Sequence, residues 1–325
     1  MTSSVHPAPL LRAGEQTRRA SRQVAPAPRV LVIYKKSAYQ IYVRERRHAH
    51  IEQLLAARDT GALRLLRAHK DHLHSLDSAR EALQRLGADA KFRHRSDDTH
   101  AQNVDLVVTL GGDGTLLWAS HLVSANTPII AINTAPKDSV GYFCAGTKHE
   151  IDDVLADALS GKLPSIDLTR MQVELNGTVL SKRVLNDALY CHESPAATAR
   201  YGLRLGRHYE EQKSSGVWVG PAAGSSAAQR SAGGKLLPID ATDLQYVVRE
   251  PYEVNGIKYA LKKGLLGSKQ SLKIESHMRA GRLFLDGPHT EHVVEMASKI
   301  EFRQSPEPLT VLGFRRRRAP RAPGA

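Results

Sequence analysis

The sequence predicts an α/β half followed by a mainly β half. Three observations carry this: short β-branched runs alternating with helical patterns before residue 139, apolar/polar alternation from Met171, and an Asn176-Gly177 dipeptide after which that alternation resumes. Val30-Leu31-Val32-Ile33-Tyr34 is apolar on both faces, as suits a buried strand of a parallel sheet. Leu76, Ala79, Leu83 and Leu86 recur at helical spacing before Gly87, a C-cap. A second strand is expected over 104–110, a helix over 116–124 and a third strand over 128–132. In the second half, Met171, Val173 and Leu175 alternate with Gln172 and Glu174, and Asn-Gly favours a tight hairpin turn. Further strands are expected at 201–207, 215–219, 245–250, 271–276, 282–285 and 299–303. The Gly/Ala/Ser-rich stretch 220–234 lies between strands and is too interrupted for a flexible linker.

Composition bounds the function. The 325 residues are 41% hydrophobic and 24% charged, ordinary globular usage, which excludes wholesale disorder. The net charge of +13 sits largely at the ends: residues 1–29 hold five arginines against Glu15, and 315–325 hold five arginines and no acid, leaving only +4 for the body. With aromatics at 5%, this is not the interleaved basic surface of a nucleic-acid binder, and no nucleic acid is expected as partner. Cys144 and Cys191 form no C-x-x-C pair, so neither a disulfide framework nor a zinc cluster is indicated. No apolar stretch approaches the roughly 20 residues that cross a bilayer, so a soluble, cytoplasmic protein without a membrane partner is expected. Residues 1–29 read as a disordered leader, with an organelle transit peptide as the alternative that their Arg and Ser content leaves open.

The sharpest chemical feature is Gly111-Gly112-Asp113-Gly114-Thr115, directly after the second strand and directly before a helix. That is the ligand-binding end of a strand in an α/β sheet. Glycines let the backbone turn its N–H groups onto a phosphate, and a helix N-terminus adds partial positive charge. An aspartate there can accept a hydroxyl proton or help hold Mg²⁺, and both jobs suit phosphoryl transfer. A plain turn with Asp113 as helix cap explains the glycines but not why three of them flank one carboxylate. Neither G-x-x-x-x-G-K-[ST] nor G-x-G-x-x-G after a strand occurs, which disfavours a P-loop NTPase and an ordinary dehydrogenase.

This pentapeptide resembles the GGDGT motif of NAD kinases and of the related lipid kinases and phosphofructokinases. Leu185-Asn186-Asp187 resembles the Asn-acid pair with which NAD kinases bind the adenosine of the dinucleotide. Gly224-Ser225-Ser226-Ala227 with Ser231-Ala232-Gly233-Gly234 looks like their Gly-Ser-Thr-Ala loop and its trailing Ser-Ala-Gly-Gly, and Asp286-Gly287 resembles their late Asp-Gly hairpin. The blocks keep the family's order from about residue 30 to 312. Residues 185–201, 214–234 and 244–252 look closest to the divergent branch containing plant NADH kinases.

The resemblance implies a Rossmann-like α/β domain carrying the GGDGT loop and a C-terminal β-sandwich domain. The implied division is leader 1–29, α/β nucleotide-kinase domain 30–139, β-sandwich dinucleotide-binding domain 140–295, strands returning to the first domain over 296–314, and basic tail 315–325. It implies ATP and Mg²⁺ as cofactors, NAD⁺ or NADH as acceptor, and a homo-oligomer, dimer or tetramer. Asp113 is the implied catalytic residue, taking the proton of the adenosine-ribose 2′-hydroxyl as that oxygen attacks the γ-phosphate. Gly111, Gly112, Gly114 and Thr115 are the implied phosphate-binding residues. Asn186, Asp187, Ser215, Gly224, Ser225, Ser226, Ala227 and Ser231 are the implied dinucleotide-binding residues; metal ligands are not assigned.

The chain departs from the family pattern in places. Pro221-Ala222-Ala223 stands for the usual Thr-Pro-Thr, Ala228 for the loop tyrosine, Ser215 for an acid, and Asp187 for Glu. Asn-Asp keeps one amide and one carboxylate for ribose hydroxyls with a shorter reach. Two rivals are a lipid or sphingoid-base kinase, which leaves Asn186-Asp187 unexplained, and a non-catalytic dinucleotide sensor, motivated by the altered 221–228. His69, His72 and His74 read as a solvated polar helix face rather than a zinc site. Asp286-Gly287 reads equally as a simple hairpin turn and as part of the site.

Overall fold

A computed structural model describes residues 26–95, 97, 101, 103–254 and 256–314. The expected leader and basic tail lie outside the described residues, apart from 26–29. The first sheet uses β1 (Arg29–Tyr34), β2 (Asp89–His94), β3 (Leu106–Gly111), β4 (Ile129–Asn133), β5 (Gly146–Thr147) and β6 (Ser165–Leu168). The remaining strands are β7 (Met171–Leu175), β8 (Thr178–Val184), β9 (Ala188–His192), β10 (Ala199–Leu205), β11 (His208–Ser214) and β12 (Gly216–Gly220). They continue with β13 (Leu244–Arg249), β14 (Lys263–Leu266), β15 (Ser271–Ser276), β16 (Gly281–Leu285), β17 (Thr290–Val294), β18 (Lys299–Gln304) and β19 (Leu309–Leu312).

The first sheet runs β2-β1-β3-β4-β19-β6, with β5 beside β4, and is parallel except for β6. β3 and β4 are buried along their whole length because both faces are covered. After α1 (Ala49–Ala56), the long α2 (Thr60–Arg85) starts at Asp59, whose carboxylate accepts the amides of Gly61 and Ala62 at 2.8 and 3.0 Å. Leu76, Ala79 and Leu83 of α2 pack on Val30, Val32, Val108 and Ile130. α3 (Asp113–Ser120) covers the opposite face, with Leu116 and Ala119 against Leu31, Ile33, Val107 and Ile129. α4 (Ile151–Leu159) joins α2 through Val154 and Leu155.

The later strands form two antiparallel sheets, β11-β10-β15-β18-β7-β8 and β14-β13-β12-β9-β16-β17. Their inner faces share one core that includes Val173, Tyr190, Tyr201, Val217, Tyr246, Leu283 and Phe302, so they stack as a sandwich.

Several expectations shift. The segment 146–168, assigned to the second domain, supplies β5, α4 and β6 to the first sheet, because Ile151, Val154 and Leu155 have their apolar partners there. β18, assigned to the returning strands, pairs with β15 and β7 inside the sandwich, and β19 alone returns. The helix expected over 116–124 begins at Asp113 and ends at Ser120. β2 carried no legible signal because it is an edge strand with alternating exposure. His69 and His72 are buried, not solvated: α2 extends past the sheet's edge, and its inward stripe there meets loops instead of strands. His69 Nδ1 lies 2.8 Å from Ser37 Oγ and His72 Nδ1 lies 3.0 Å from Thr134 Oγ1. Burial lowers both imidazoles, His72 to about 4. His74 is exposed.

Candidate functional site

Asp113 opens α3 immediately after β3, and Gly112 is the N-cap. The turn needs two of its three glycines. A Cβ on Gly111 would lie 2.2 Å from Thr115 Oγ1, and one on Gly112 would lie 2.4 Å from Ser139 Oγ. Gly114 is exposed with open space around it, so sterics do not require it. Thr115 is buried, its hydroxyl unpaired among the described residues.

The Asp113 carboxylate is oriented from the loop after β4. The backbone N–H groups of Tyr142 and Phe143 donate to Oδ2 and Oδ1, each at 2.9 Å. Asn133 fixes that loop: its Nδ2 donates to Ser139 O and its Oδ1 accepts from Ala135 N, both at 3.0 Å. Gly141 turns the chain at φ +60°, with Asn133 pressed against it.

Asn186 and Asp187 lie in the segment that joins β8 to β9. Asp286 organises them. Its side chain is 3% exposed and accepts the amides of Leu185, Asn186 and Asp187 at 2.8, 2.6 and 3.1 Å. His121 Nε2 lies 2.8 Å from Asp286 Oδ2, and since an ionised carboxylate only accepts, Nε2 carries the proton. Asp286 and Gly287 both take positive φ, so this segment is a tight turn and a scaffold together.

The loop after β12 lies against the same segment. A Cβ on Gly224 would sit 1.6 Å from Asn186 O, and Gln229 Nε2, from α5 (Ala228–Ser231), approaches that oxygen at 3.4 Å. Gly224→Ala is therefore expected to displace Asn186 and weaken dinucleotide binding at least about tenfold, read by calorimetry. Ser225 is fully buried and tied inside its own loop, donating to Ala222 O at 2.7 Å and accepting from Leu237 N at 3.0 Å. Ser226 and Ser231 are exposed and Ala227 half-buried. Ser215 precedes β12, whose other end, Gly220, is the one that meets Asn186; at strand rise this is roughly 16 Å away. Thus Asn186, Asp187, Gly224 and Asp286 are brought together, and Ser215 is not among them.

Both halves of the site rest on one apolar cluster. Leu185, Ala223 and Ile239 of the second domain pack with Leu116 and Phe143 of the first. The C-terminal end of α3 is held as firmly: the fully buried Arg170 donates to Ser120 O and Val123 O at 3.0 and 2.9 Å, and Arg183 to His121 O at 3.0 Å. Burial lowers Arg170 to about 10, which still leaves it charged at neutral pH. Asn133, Tyr142, Phe143, His121 and Arg170 were missed from sequence. Asn133, a polar residue ending an apolar strand, and the nearby Gly141 were the available signals.

Asp187 is buried, and no donor among the described residues reaches its carboxylate. Desolvation, then the Asp286 charge, pushes it up to about 7. In the dinucleotide-binding role that the resemblance implies for Asp187, ribose hydroxyls would supply the missing donors and favour the ionised form, and dinucleotide affinity would then rise as pH passes upward through about 7. The sign for folding is opposite. A carboxyl raised in the fold contributes stability below its ordinary value near 3.8 and loses it as pH rises through about 7. Asp187→Asn is accordingly expected to melt higher than wild type at pH 8 while binding dinucleotide roughly 10–100-fold more weakly. Melts at pH 5 and 8 with calorimetry check both.

Fold and site together define a two-domain protein in which a glycine-rich loop with one aligned carboxylate and an Asn-Asp segment are joined through one apolar cluster. Residues 18–163 match the family model described as the ATP-NAD kinase N-terminal domain. A probable NADH kinase of Oryza sativa subsp. japonica is 31% identical over 263 residues, covering 74% of this chain and 81% of that protein. The NADH kinase of Arabidopsis thaliana is 30% identical over 265 residues, covering 74% and 83%. Among solved structures, yeast NADH kinase complexed with NADH aligns with a TM-score of 0.64 at 15% identity over 90% of this chain and 85% of that one. An NAD kinase from Archaeoglobus fulgidus in complex with ATP aligns at 0.60 and 18% identity, over 88% and 93%. The chain belongs to the NAD kinase family.

Proposed function

We propose that the protein is an ATP-dependent NAD(H) kinase that phosphorylates the adenosine-ribose 2′-hydroxyl of NAD⁺ or NADH. The observation that carries this reading is Asp113, fixed by two backbone amides beside a glycine turn, with Leu116 and Phe143 packed on Leu185, the neighbour of Asn186-Asp187. Asn186 and Asp187 bind the adenosine ribose. Asp113 takes the 2′-hydroxyl proton as that oxygen forms its bond to the γ-phosphorus; the bond from phosphorus to the β,γ-bridging oxygen breaks, and ADP leaves with that electron pair. Phosphoryl transfer needs positioning and charge neutralisation above all, which the turn amides and the N-terminus of α3 supply.

Mg²⁺ fits as a companion of the donor's phosphates. Among the described residues no three acidic, His or Cys side chains cluster, and this ion commonly binds through one or two carboxylates plus substrate phosphates and water. Bound there, it would offset negative charge on the phosphates. A homo-oligomer, with cytoplasmic location and no nucleic-acid partner, completes the reading; light scattering tests the assembly. No described helix is long and apolar enough to cross a membrane.

The deciding assay incubates purified protein with ATP·Mg²⁺ and either NAD⁺ or NADH and quantifies NADP(H) with an NADP-specific cycling enzyme. Product from either substrate supports the kinase. Absence of product with both, alongside measurable dinucleotide binding, overturns it in favour of a sensor.

A further inference from the structure

A cavity of about 340 Å³ borders the glycine turn on the α2 side of the first sheet, whereas Leu185, next to Asn186-Asp187, packs on the α3 side. It sits at the carboxyl ends of β1 and β4, under the N-terminal half of α2, the face of the sheet opposite α3. Open parallel sheets take ligands at this edge. Ser139 forms part of its wall and also packs against Gly112, so the cavity borders the loop that carries Asp113.

Most of its polar side chains already have a partner, though His72 Nε2 is buried without one among the described residues. Thr134 faces His72, Ser37 faces His69, and Arg64 pairs with Asp138. Lys35, the first residue after β1, lines the same space, and no carboxylate or hydrogen-bond acceptor among the described residues meets its ammonium. The charge that acts on it is Arg95, of the same sign; burial and that repulsion both lower its pKa. A half-buried, unpaired ammonium is costly to keep, and an anion removes the cost.

We propose that this cavity receives the polyphosphate of the donor, with Lys35 as the cation that binds it. The proposal rests on the kinase reading and deepens it. Acceptor ribose and donor phosphates then approach Asp113 from the α3 side and the α2 side of the first sheet, which suits an in-line displacement. Lys35 is a point-charge phosphate ligand on a stem long enough to follow the phosphates as they move.

The test uses Lys35→Gln and Lys35→Arg in the full chain, with ATP titrated at saturating dinucleotide and inorganic tripolyphosphate as a base-free probe. Lys35→Gln is expected to raise the ATP KM about tenfold or more and leave the dinucleotide KM within about twofold, with Lys35→Arg between it and wild type. Tripolyphosphate should compete with ATP in wild type and lose affinity by a similar factor in Lys35→Gln. Ala38→Glu, which adds a carboxylate at an exposed position of the cavity wall, should weaken ATP the same way and covers a misfolding Lys35 variant. An active enzyme whose ATP KM ignores these substitutions overturns the proposal. So does tripolyphosphate that competes with dinucleotide instead of ATP, since the cavity would then hold the acceptor's pyrophosphate. Wild-type protein that makes no NADP(H) sinks the kinase reading instead, and calorimetry with tripolyphosphate then still supports or overturns anion binding at Lys35.

Discussion

Asp113→Asn is expected to lower kcat by about 10²–10⁴-fold while the dinucleotide Kd stays within about twofold. The amide keeps the shape of the carboxylate and cannot accept the hydroxyl proton. It also cannot reproduce both contacts of the native group: Tyr142 and Phe143 each donate an N–H to a different oxygen, and an amide has one oxygen. One of the two bonds is lost, at roughly 1–3 kcal/mol of stability. The two effects separate by measurement. A displaced loop lowers the melting temperature, whereas the missing proton acceptor shows only in turnover. Near-wild-type kcat in a folded variant would remove Asp113 from its role. A kcat loss that tracks the loss of stability across other substitutions in the 134–141 loop would assign it to positioning alone.

The fold was legible where burial and periodicity coincide. Val30, Val32, Leu106 and Val108 lie between two helix layers, so their runs are apolar without interruption, and the parallel sheet follows. β2 escaped because an edge strand has only one covered neighbour and its side chains alternate in exposure. The boundary near residue 140 was misplaced because a chain that leaves a domain and returns gives no local signal. β6 and β19 pair across more than 140 residues, and nothing in Ser165–Leu168 or Leu309–Leu312 announces the partner. The site was half legible. Asp113 announces itself through its glycines, of which Gly111 and Gly112 have steric reasons and Gly114 does not. The groups that aim it are backbone amides of Tyr142 and Phe143, and any residue but proline supplies an amide. His72 illustrates the converse: a helix face polar in composition is buried when loops, not solvent, lie beyond it.

The largest effect on binding is expected from Asp286→Ala, because one buried carboxylate ties three elements together. It holds the amides of Leu185, Asn186 and Asp187, and it meets His121 at the end of the helix that begins with Asp113. Alanine leaves three N–H groups and a histidine without an acceptor, at a cost of about 3–5 kcal/mol, and releases the segment proposed to bind the ribose. Dinucleotide affinity is expected to fall by roughly 100-fold or more. Asp286→Asn preserves one acceptor oxygen and should lie between. A purely structural role would end there, but Asp286 is also the second cause of the raised Asp187 carboxyl. Removing its charge lets Asp187 ionise at lower pH. In Asp286→Asn, therefore, the pH midpoint of dinucleotide binding should move to the acid side of about 7, even as the affinity drops. Calorimetry across pH 5–9 reads both at once. A weakened affinity with an unmoved midpoint would leave Asp286 as a brace for the loop, and would mean that the ionisation of Asp187 is set by burial alone.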